Sequence, residues 1–517
     1  MLTGRRRIVS LIVAAAATTS LAVGGAPALA AAPAATATTQ PSGDPSGPPS
    51  TVPSIRLIVP KTSVVIHRFG KGGPAYLDAG VLVAATGGAF DVRVERPDYT
   101  SDPVVWQVLN SSVVRILPSD IADGFLGLKD FYRLTLTNSH GKQVVKSVQD
   151  FCPSGQNMRI DSTGPQNPTY PGYCYDSPFM LGTVFGIDQG WSVPVAGNNA
   201  PTFDGKDGLY TMRVSILPRY RQLFGISDAN ATAVVSVKIK TGGPICVDIC
   251  PPPPHPLPHG TLTSDGSLAP TGVQGPPLPS LDNAPTLTSP PADAVPDLIA
   301  LPAWSITLDQ HNHKAAIDFA ATIWDKGPSP LVVEGFRGQN QKKMDAYQYF
   351  MKDGQVVGRA RVGQLEFDTR PGHHHWHFEQ FARYSLLDST KTHVVVSEKQ
   401  SFCLAPTDAI DLAVPSAQWQ PYSTGLGTAC AGPNDVWMRE VLDTGWGDTY
   451  YQSVAGQSLD VTNLPNGVYY LSVEANPKGL LYEGDTSNNT ALRKVILGGT
   501  PGGRRTLVVK PWHGINA

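Results

Sequence analysis

Four of the chain's twelve histidines stand in one five-residue run, His373-His374-His375-Trp376-His377. Side chains of an extended backbone alternate in direction, so His373, His375 and His377 share one face and His374 points to the other. Three imidazoles on one side can close on a single ion where the backbone curves. On a straight strand His373 and His377 would stand roughly 13 Å apart between Cα atoms. Ligand bonds of about 2 Å do not close that gap without long side chains and a bend. Pro371 and Gly372 stand where such a bend could start. Imidazole suits copper, zinc, iron and nickel alike, so the run predicts a metal site without naming the metal. A His-rich surface loop and a purely structural zinc site are the competing readings. A cupin also uses a His-x-His pair but places its glutamate further along than Glu379.

A second cluster is Glu483-Gly484-Asp485-Thr486-Ser487-Asn488-Asn489. Hard oxygen donors packed into one short turn suit calcium. The plain alternative is an acidic, turn-forming loop.

The order of motifs around the histidines resembles the lysyl oxidase family over nearly the whole C-terminal domain, in the form of a secreted bacterial member. The family's His-x-His-x-His copper motif reads His373, His375 and His377, followed by Tyr384-Ser385-Leu386-Leu387-Asp388. Its Lys-x-Ser-Phe-Cys landmark reads Lys399-Gln400-Ser401-Phe402-Cys403. Its Gly-x-x-Asp-x-Tyr landmark reads Gly445-Trp446-Gly447-Asp448-Thr449-Tyr450, with Gln457 and Leu459-Asp460-Val461-Thr462 beyond. The resemblance implies copper and a lysine tyrosylquinone built from Lys399 and Tyr450, with Asp448 near the catalytic base or its support. It implies oxidative deamination of a primary amine, peptidyl lysine included, by O2 to an aldehyde, ammonia and hydrogen peroxide. The lysine must be neutral to join the oxidised ring, and a nearby cation or an apolar pocket favours that state. The ring carries the difficult electronics, and the protein supplies position and the base. The resemblance also implies a structural calcium held by Asp297, Leu298, Glu483, Asp485, Asn488 and Asn489. Gly372 stands where animal members have a cysteine, and Trp446 and Gly456 replace a disulfide pair. These departures bear on loop rigidity and on collagen or elastin as substrates, and they leave the metal and quinone residues intact. The rival functions are a non-catalytic binding or cell-surface module that kept the metal, and a three-histidine metal enzyme without the quinone.

The elements that must hold these residues are strands. Gly and Pro are abundant and long helical periodicity is scarce, so the expected class is all-β, two tandem β-sandwich-like domains with long loops. Ile317, Phe319, Ala321 and Ile323 alternate on one face, as do Tyr469, Leu471 and Val473 after the Asn466-Gly467 turn. Pro-rich composition marks residues 31–53 and 246–294 as linkers, separating a domain at 54–245 from a catalytic domain at 295–517. Residues 1–30 read as an export signal, with Arg5, Arg6 and Arg7, an apolar run and Ala28-Leu29-Ala30. The formal net charge of −2 predicts neither a nucleic-acid partner nor stable membrane association. The six cysteines fit an oxidising compartment. Neighbour pairing gives Cys152 with Cys174, Cys246 with Cys250, and Cys403 with Cys430, among fifteen possible connectivities.

An internal repeat joins the two domains. The stretch from Val195 to Val214 aligns without a gap on Val454 to Val473, and Gly190-Trp191 falls on Gly445-Trp446. The first copy has lost every functional position. Gly124 to Leu128 stands where the histidines should be, Val148 where Lys399 should be, and Phe224 and Ile226 where Glu483 and Asp485 should be. The N-terminal domain is therefore expected to be a degenerate copy of the catalytic one.

Overall fold

The computed structural model describes residues 52–68, 72–109, 113–155, 157–197, 200–242, 284–369, 374–396, 401–421, 426–451, 457–513 and 515. The export segment, most of both linkers, and Cys246 and Cys250 lie outside the described residues. The chain is built almost entirely from strands, with one short α-helix at Pro218–Phe224. No described helix is long and apolar enough to cross a membrane.

Three sheets of the N-terminal half match three of the C-terminal half in strand order, and the N-terminal half adds a two-stranded sheet of Ala75–Tyr76 and Thr202–Phe203. In the N-terminal half one sheet runs Gly182–Ile187, Phe90–Glu95, Val104–Leu109, Val113–Leu117. Its C-terminal counterpart runs Trp437–Leu442, Leu331–Phe336, Met344–Lys352, Gln355–Asp368, and then adds His375–Glu379 and Ser401–Phe402. A second N-terminal sheet, Ser54–Ile58, Leu82–Thr86, Trp191–Pro194, Met158–Arg159, matches Leu298–Ala300, Lys314–Asp325, Trp446–Tyr450, Asp408–Ala409. In the third pair, Gln143–Phe151, Leu128–Asn138, Gly208–Ile216, Thr232–Thr241 matches His393–Val396, Ala382–Leu387, Gly467–Ala475, Thr490–Gly499. Only the fifth strand differs. Ser63–Arg68 joins parallel in the first half, whereas Arg505–Val509 joins antiparallel in the second.

Small details repeat as well. Gly190 and Gly445 both take positive φ, 81° and 87°, a conformation that glycine reaches without steric cost. The following tryptophan N–H donates to Asp188 O at 3.0 Å in one half and to Asp443 O at 3.1 Å in the other. The hydroxyls of Tyr210 and Tyr469 each donate to a carbonyl four residues back, on Lys206 and Pro465.

The predicted alternation holds in the first part of Lys314–Asp325, where Ala315, Ile317, Phe319, Ala321 and Ile323 are buried. From Ala320 onward both faces are buried. The strand's far end packs outward too, with Trp324 grouped with Phe179 of the N-terminal half. The pairs Cys152–Cys174 and Cys403–Cys430 form disulfides, one in each half.

Candidate metal and tyrosine site

The histidine strand His375–Glu379 lies antiparallel to the end of Gln355–Asp368, with His375 opposite Asp368 and His377 opposite Glu366. His375 and His377 fall on one face, and their ring centroids are 4.5 Å apart at 84°. Trp376 between them is buried on the other face. Its indole N–H donates to Gly432 O at 2.9 Å, and the Arg337 guanidinium sits 4.7 Å from its ring centroid. His374 is exposed and takes a left-handed φ of 43°, so its side chain does not join this face. His373 lies outside the described residues. The His377 ring is fully buried, and Nδ1 stands 3.3 Å from Oδ2 of the buried Asp368 carboxylate. This is an ion-pair distance, not an aligned hydrogen bond; a carboxylate beside one imidazole nitrogen favours the tautomer protonated on that side, as in carboxylate–histidine–metal arrangements.

Tyr450 ends the strand Trp446–Tyr450, which pairs with Lys314–Asp325 on a different sheet. Its hydroxyl accepts from Cys403 N–H at 3.1 Å and donates to Cys403 O at 3.0 Å. Burial pushes its pKa well above the phenol range, and the Asp448 and Glu440 carboxylates push the same way. Cys403 is bonded through its sulfur to Cys430, whose carbonyl accepts the backbone N–H of Trp376 at 2.9 Å. One covalent bridge thus ties the residue that holds Tyr450 to the strand that carries the histidines. Glu440 makes a second tie. Its Oε1 accepts from Phe378 N–H at 3.0 Å, one residue beyond His377, while its charge acts on Tyr450.

Asp448 sits two residues before Tyr450, opposite Ile323, and is only 5% exposed. It raises the pKa of both Tyr450 and the buried Tyr384, in each case after the larger effect of burial. Gln457 is buried and donates through Nε2 to Tyr450 O at 3.0 Å. Lys399 lies outside the described residues.

The acidic loop closes on the first strand of the C-terminal half. Glu483 Oε2 accepts from Leu298 N–H at 3.3 Å, and Asn488 Nδ2 donates to Asp297 Oδ1 at 2.9 Å. Asn476 and Asn489 donate to Glu483 Oε1 at 2.6 and 2.8 Å. Burial raises the Glu483 pKa against those hydrogen bonds. The amide oxygens of Asn488 and Asn489 are buried with no hydrogen-bond partner, which suits oxygens that would ligate a cation. Asp485 stays outside this group, with Oδ1 capping Ser487 N–H at 2.8 Å. Among the described residues no three acidic, histidine or cysteine side chains stand close enough to hold an ion by themselves.

The N-terminal half has no counterpart to the histidine strand among the described residues: its first sheet stops at Val113–Leu117. Gly124–Gly127 form a turn there, and a Cβ on Gly127 would meet Phe151 O at 2.4 Å. Where the acidic loop would be, the helix Pro218–Phe224 buries Phe224, and Ile226 beyond it is also buried.

The lysyl oxidase family model matches residues 347–502. Residues 347–502 thus carry a lysyl oxidase family domain. Protein-lysine 6-oxidase of Sus scrofa is 34% identical over 119 residues, 23% of this chain and 41% of that protein. The Homo sapiens protein-lysine 6-oxidase is 32% identical over 119 residues, 23% of this chain and 25% of that protein. Lysyl oxidase homolog 4 of Bos taurus is 30% identical over 137 residues, 26% of this chain and 16% of that protein. The chain thus spans less than half the length of each of these relatives. The matched span contains the histidine run, Lys399, Tyr450 and the acidic loop, and it leaves out the N-terminal half and Asp297-Leu298.

Sequence reasoning missed Asp368 and Glu440, and quoted Tyr384 only as part of a motif without a place beside Tyr450. Asp368 had a usable signal. Antiparallel strands ending at Asp368 and starting at His375 place a carboxylate at 368 beside histidines at 375 and 377. Glu440 had none, because its neighbour Phe378 is 62 residues away in the chain.

Proposed function

We propose that this protein is a secreted, copper-dependent amine oxidase of the lysyl oxidase kind, with its chemistry in the C-terminal half. The observation that carries the reading is the bridge from Tyr450 through Cys403 and Cys430 to Trp376, between His375 and His377. It fastens a buried tyrosine and a histidine pair from two different sheets to one disulfide. That is the arrangement an enzyme needs if a metal is to act on a tyrosine ring.

His373, His375 and His377 would hold copper. With Nδ1 of His377 turned to Asp368, Nε2 is the nitrogen that would ligate. Lys399 and Tyr450 would form the lysine tyrosylquinone. Bound copper and the quinone would supply the oxidation of a primary amine by O2, releasing aldehyde, ammonia and hydrogen peroxide. The chain's own residues position and desolvate. The backbone N–H and C=O of Cys403 both bond the Tyr450 oxygen and so fix its position. Gln457 anchors the carbonyl of the same residue. Asp448, buried and within electrostatic reach of Tyr450, would take or hold a proton beside the ring. Calcium would seat among Asp297, Leu298, Glu483, Asn488 and Asn489, tying the first strand of this half to its last loop, while Asp485 caps Ser487 instead. The substrates are primary amines, including the lysine side chain of a protein.

The test is peroxide release by copper-loaded full chain against a panel of primary amines, together with peptide mapping. One cross-linked species spanning Lys399 and Tyr450 is expected, along with a visible chromophore that a hydrazine reagent quenches. An active preparation in which both peptides occur only as separate, unmodified species would refute the quinone. Copper binding with no peroxide from any amine would leave a metal-binding module.

A further inference from the structure

We infer that the N-terminal half is a built-in brace for Tyr450: it continues the sheet that carries this tyrosine and fixes both ends of the tyrosine's strand. This rests on the amine oxidase reading for its functional consequence, but the bracing itself is a matter of backbone and rings.

The continuity runs through residues 407–412. On one edge this segment pairs with the tyrosine strand: Asp408 lies opposite Gly447 and Ala409 opposite Trp446. The N–H groups of Ile410 and Asp411 both donate to Gly445 O, at 2.9 and 3.0 Å. Thr407 Oγ1 accepts from Thr449 N–H at 2.8 Å. On the other edge the segment pairs with the N-terminal half. Leu181 N–H donates to Ile410 O at 2.6 Å, and Leu412 N–H donates to Gly182 O at 2.9 Å, a parallel bridge between Gly182 and Asp411. Gly182 opens the strand Gly182–Ile187, which pairs with Phe90–Glu95. Hydrogen-bonded backbone therefore runs without a break from the core of one half to Tyr450 in the other.

Side chains brace the two ends of the tyrosine strand. At its start, Tyr175 packs edge-on against Trp446 at 4.9 Å and 82°. The Trp446 indole N–H donates to Gln418 O at 2.6 Å. The next residue, Trp419, stacks on Tyr170 at 5.6 Å and 17°, and lies 5.3 Å from the Arg93 guanidinium. At its end, the fully buried Phe179 packs edge-on against Trp304 at 6.1 Å. The Trp304 indole N–H donates to Thr322 Oγ1 at 3.2 Å, and Thr322 Oγ1 shares a 2.8 Å hydrogen bond with Thr449 Oγ1, next to Tyr450. Trp304 also meets Tyr451 at 5.7 Å. A register shift between Trp304 and Thr307 marks a bulge, a device that re-aims a side chain beside a site. An appended module would touch its neighbour through surface side chains. Here the N-terminal half supplies a strand edge and three aromatic rings, and Tyr170 and Met180 belong to the C-terminal core itself.

Gly182 is the positioning residue to test. A Cβ there would fall 2.2 Å from Asp411 Oδ1 and 2.7 Å from Ala413 Cβ, so Gly182→Val forces the junction apart. The variant and wild type are compared as full chains, copper-loaded, by hydrogen exchange, chromophore yield and steady-state kinetics. Residues 408–412 and 446–450 are expected to exchange at least ten-fold faster. The strands Gly467–Ala475 and Thr490–Gly499 should keep their protection, and copper content should hold. The hydrazine-reactive chromophore should fall about ten-fold, with kcat reduced and KM little changed. Adding Asp411→Ala and Ala413→Gly to Gly182→Ala makes room for the methyl group and should restore both readouts. If Gly182→Val does not fold, Tyr175→Ala removes only the ring on Trp446 and should lower chromophore yield two- to five-fold. Faster exchange at 410–412 with full protection of 446–450 and wild-type chromophore would overturn the inference. A wild type that makes no chromophore would sink the oxidase reading alone, because the exchange comparison would still decide the bracing.

Discussion

Asp443 is the carboxyl whose replacement gives the sharpest physical test. It is 3% exposed, and burial alone pushes its pKa to about 8. Its carbonyl accepts Trp446 N–H at the turn that starts the tyrosine strand. The neighbouring Asp325 is also raised, first by burial and further by the Asp443 charge. In the unfolded chain an aspartate titrates near 3.9. Between that value and about 8 the folded protein therefore holds one more proton than the unfolded chain, so stability falls as pH rises across this window and levels off above it. At roughly 1.4 kcal/mol per pH unit, the three units from pH 4 to pH 7 amount to about 4 kcal/mol, an order-of-magnitude ceiling. Asp443→Asn keeps the shape and removes the titration. Chemical unfolding of both full chains, followed from pH 4 to pH 9, should give curves that meet near pH 4. They should then diverge with the variant more stable, by a few kcal/mol at pH 7 to 8. A gap that is the same at every pH, or a wild-type profile with no decline from pH 5 to pH 8, would refute the reasoning.

Replacing Asp368 by Asn should loosen copper about 10- to 100-fold in competition with a chelator, because the His377 ring loses the carboxylate that orients it; an unchanged affinity would remove Asp368 from the site. Alanine at His375 or His377 should abolish copper retention on dialysis and alanine at His374 should not, and equal loss at His374 would end the one-face assignment. Calcium should raise the melting temperature of the full chain and a chelator should lower it, since an ion bound only by the folded state stabilises by mass action. Asn488→Ala should blunt that response, and a melting temperature indifferent to calcium would leave the Glu483 loop a plain turn.

The β-rich class was legible because alternation is a local signal. Ile317, Phe319, Ala321 and Ile323 announced their strand, whereas Asn466-Gly467, read as a hairpin turn, is a bend at Asn466 with Gly467 already opening the next strand. The similarity of the two halves was visible as a gapless match from Val195 to Val214, but the order of strands in their sheets was not, because pairing between distant strands leaves no local pattern. Contacts between sheets left no such trace. Nothing near Cys403 in the chain says that its backbone would hold the hydroxyl of Tyr450, 47 residues on. Nothing near Gly182 says that it must stay bare because Asp411 comes within bonding distance of where a methyl group would sit. Trp324 was readable only as the off-face residue of an alternating strand, and it is buried because another part of the chain covers that face.

The two halves also show which parts of the frame chemistry requires. The turn that feeds Trp191 and Trp446 survives in both copies, with the same glycine conformation and the same aspartate carbonyl. So does the order of the strands through all three sheets. What differs lies at sheet edges and loops. The first sheet of the N-terminal half ends where the other continues into the histidine strand, and a helix replaces the acidic loop. Edges and loops can be rebuilt without disturbing the interior packing, so ligands can be lost there while the fold stays. The edge strand Gly182–Ile187 of the N-terminal half is the exception that gives it a use. Its counterpart Trp437–Leu442 contains Glu440, whose carboxylate reaches the histidine strand. In the first half the corresponding edge instead pairs with residues 410–412 and covers an otherwise open backbone beside Tyr450. An unpaired strand edge is prone to pair with other chains, so a copy with no ligands of its own can still be kept in place by the edge it closes.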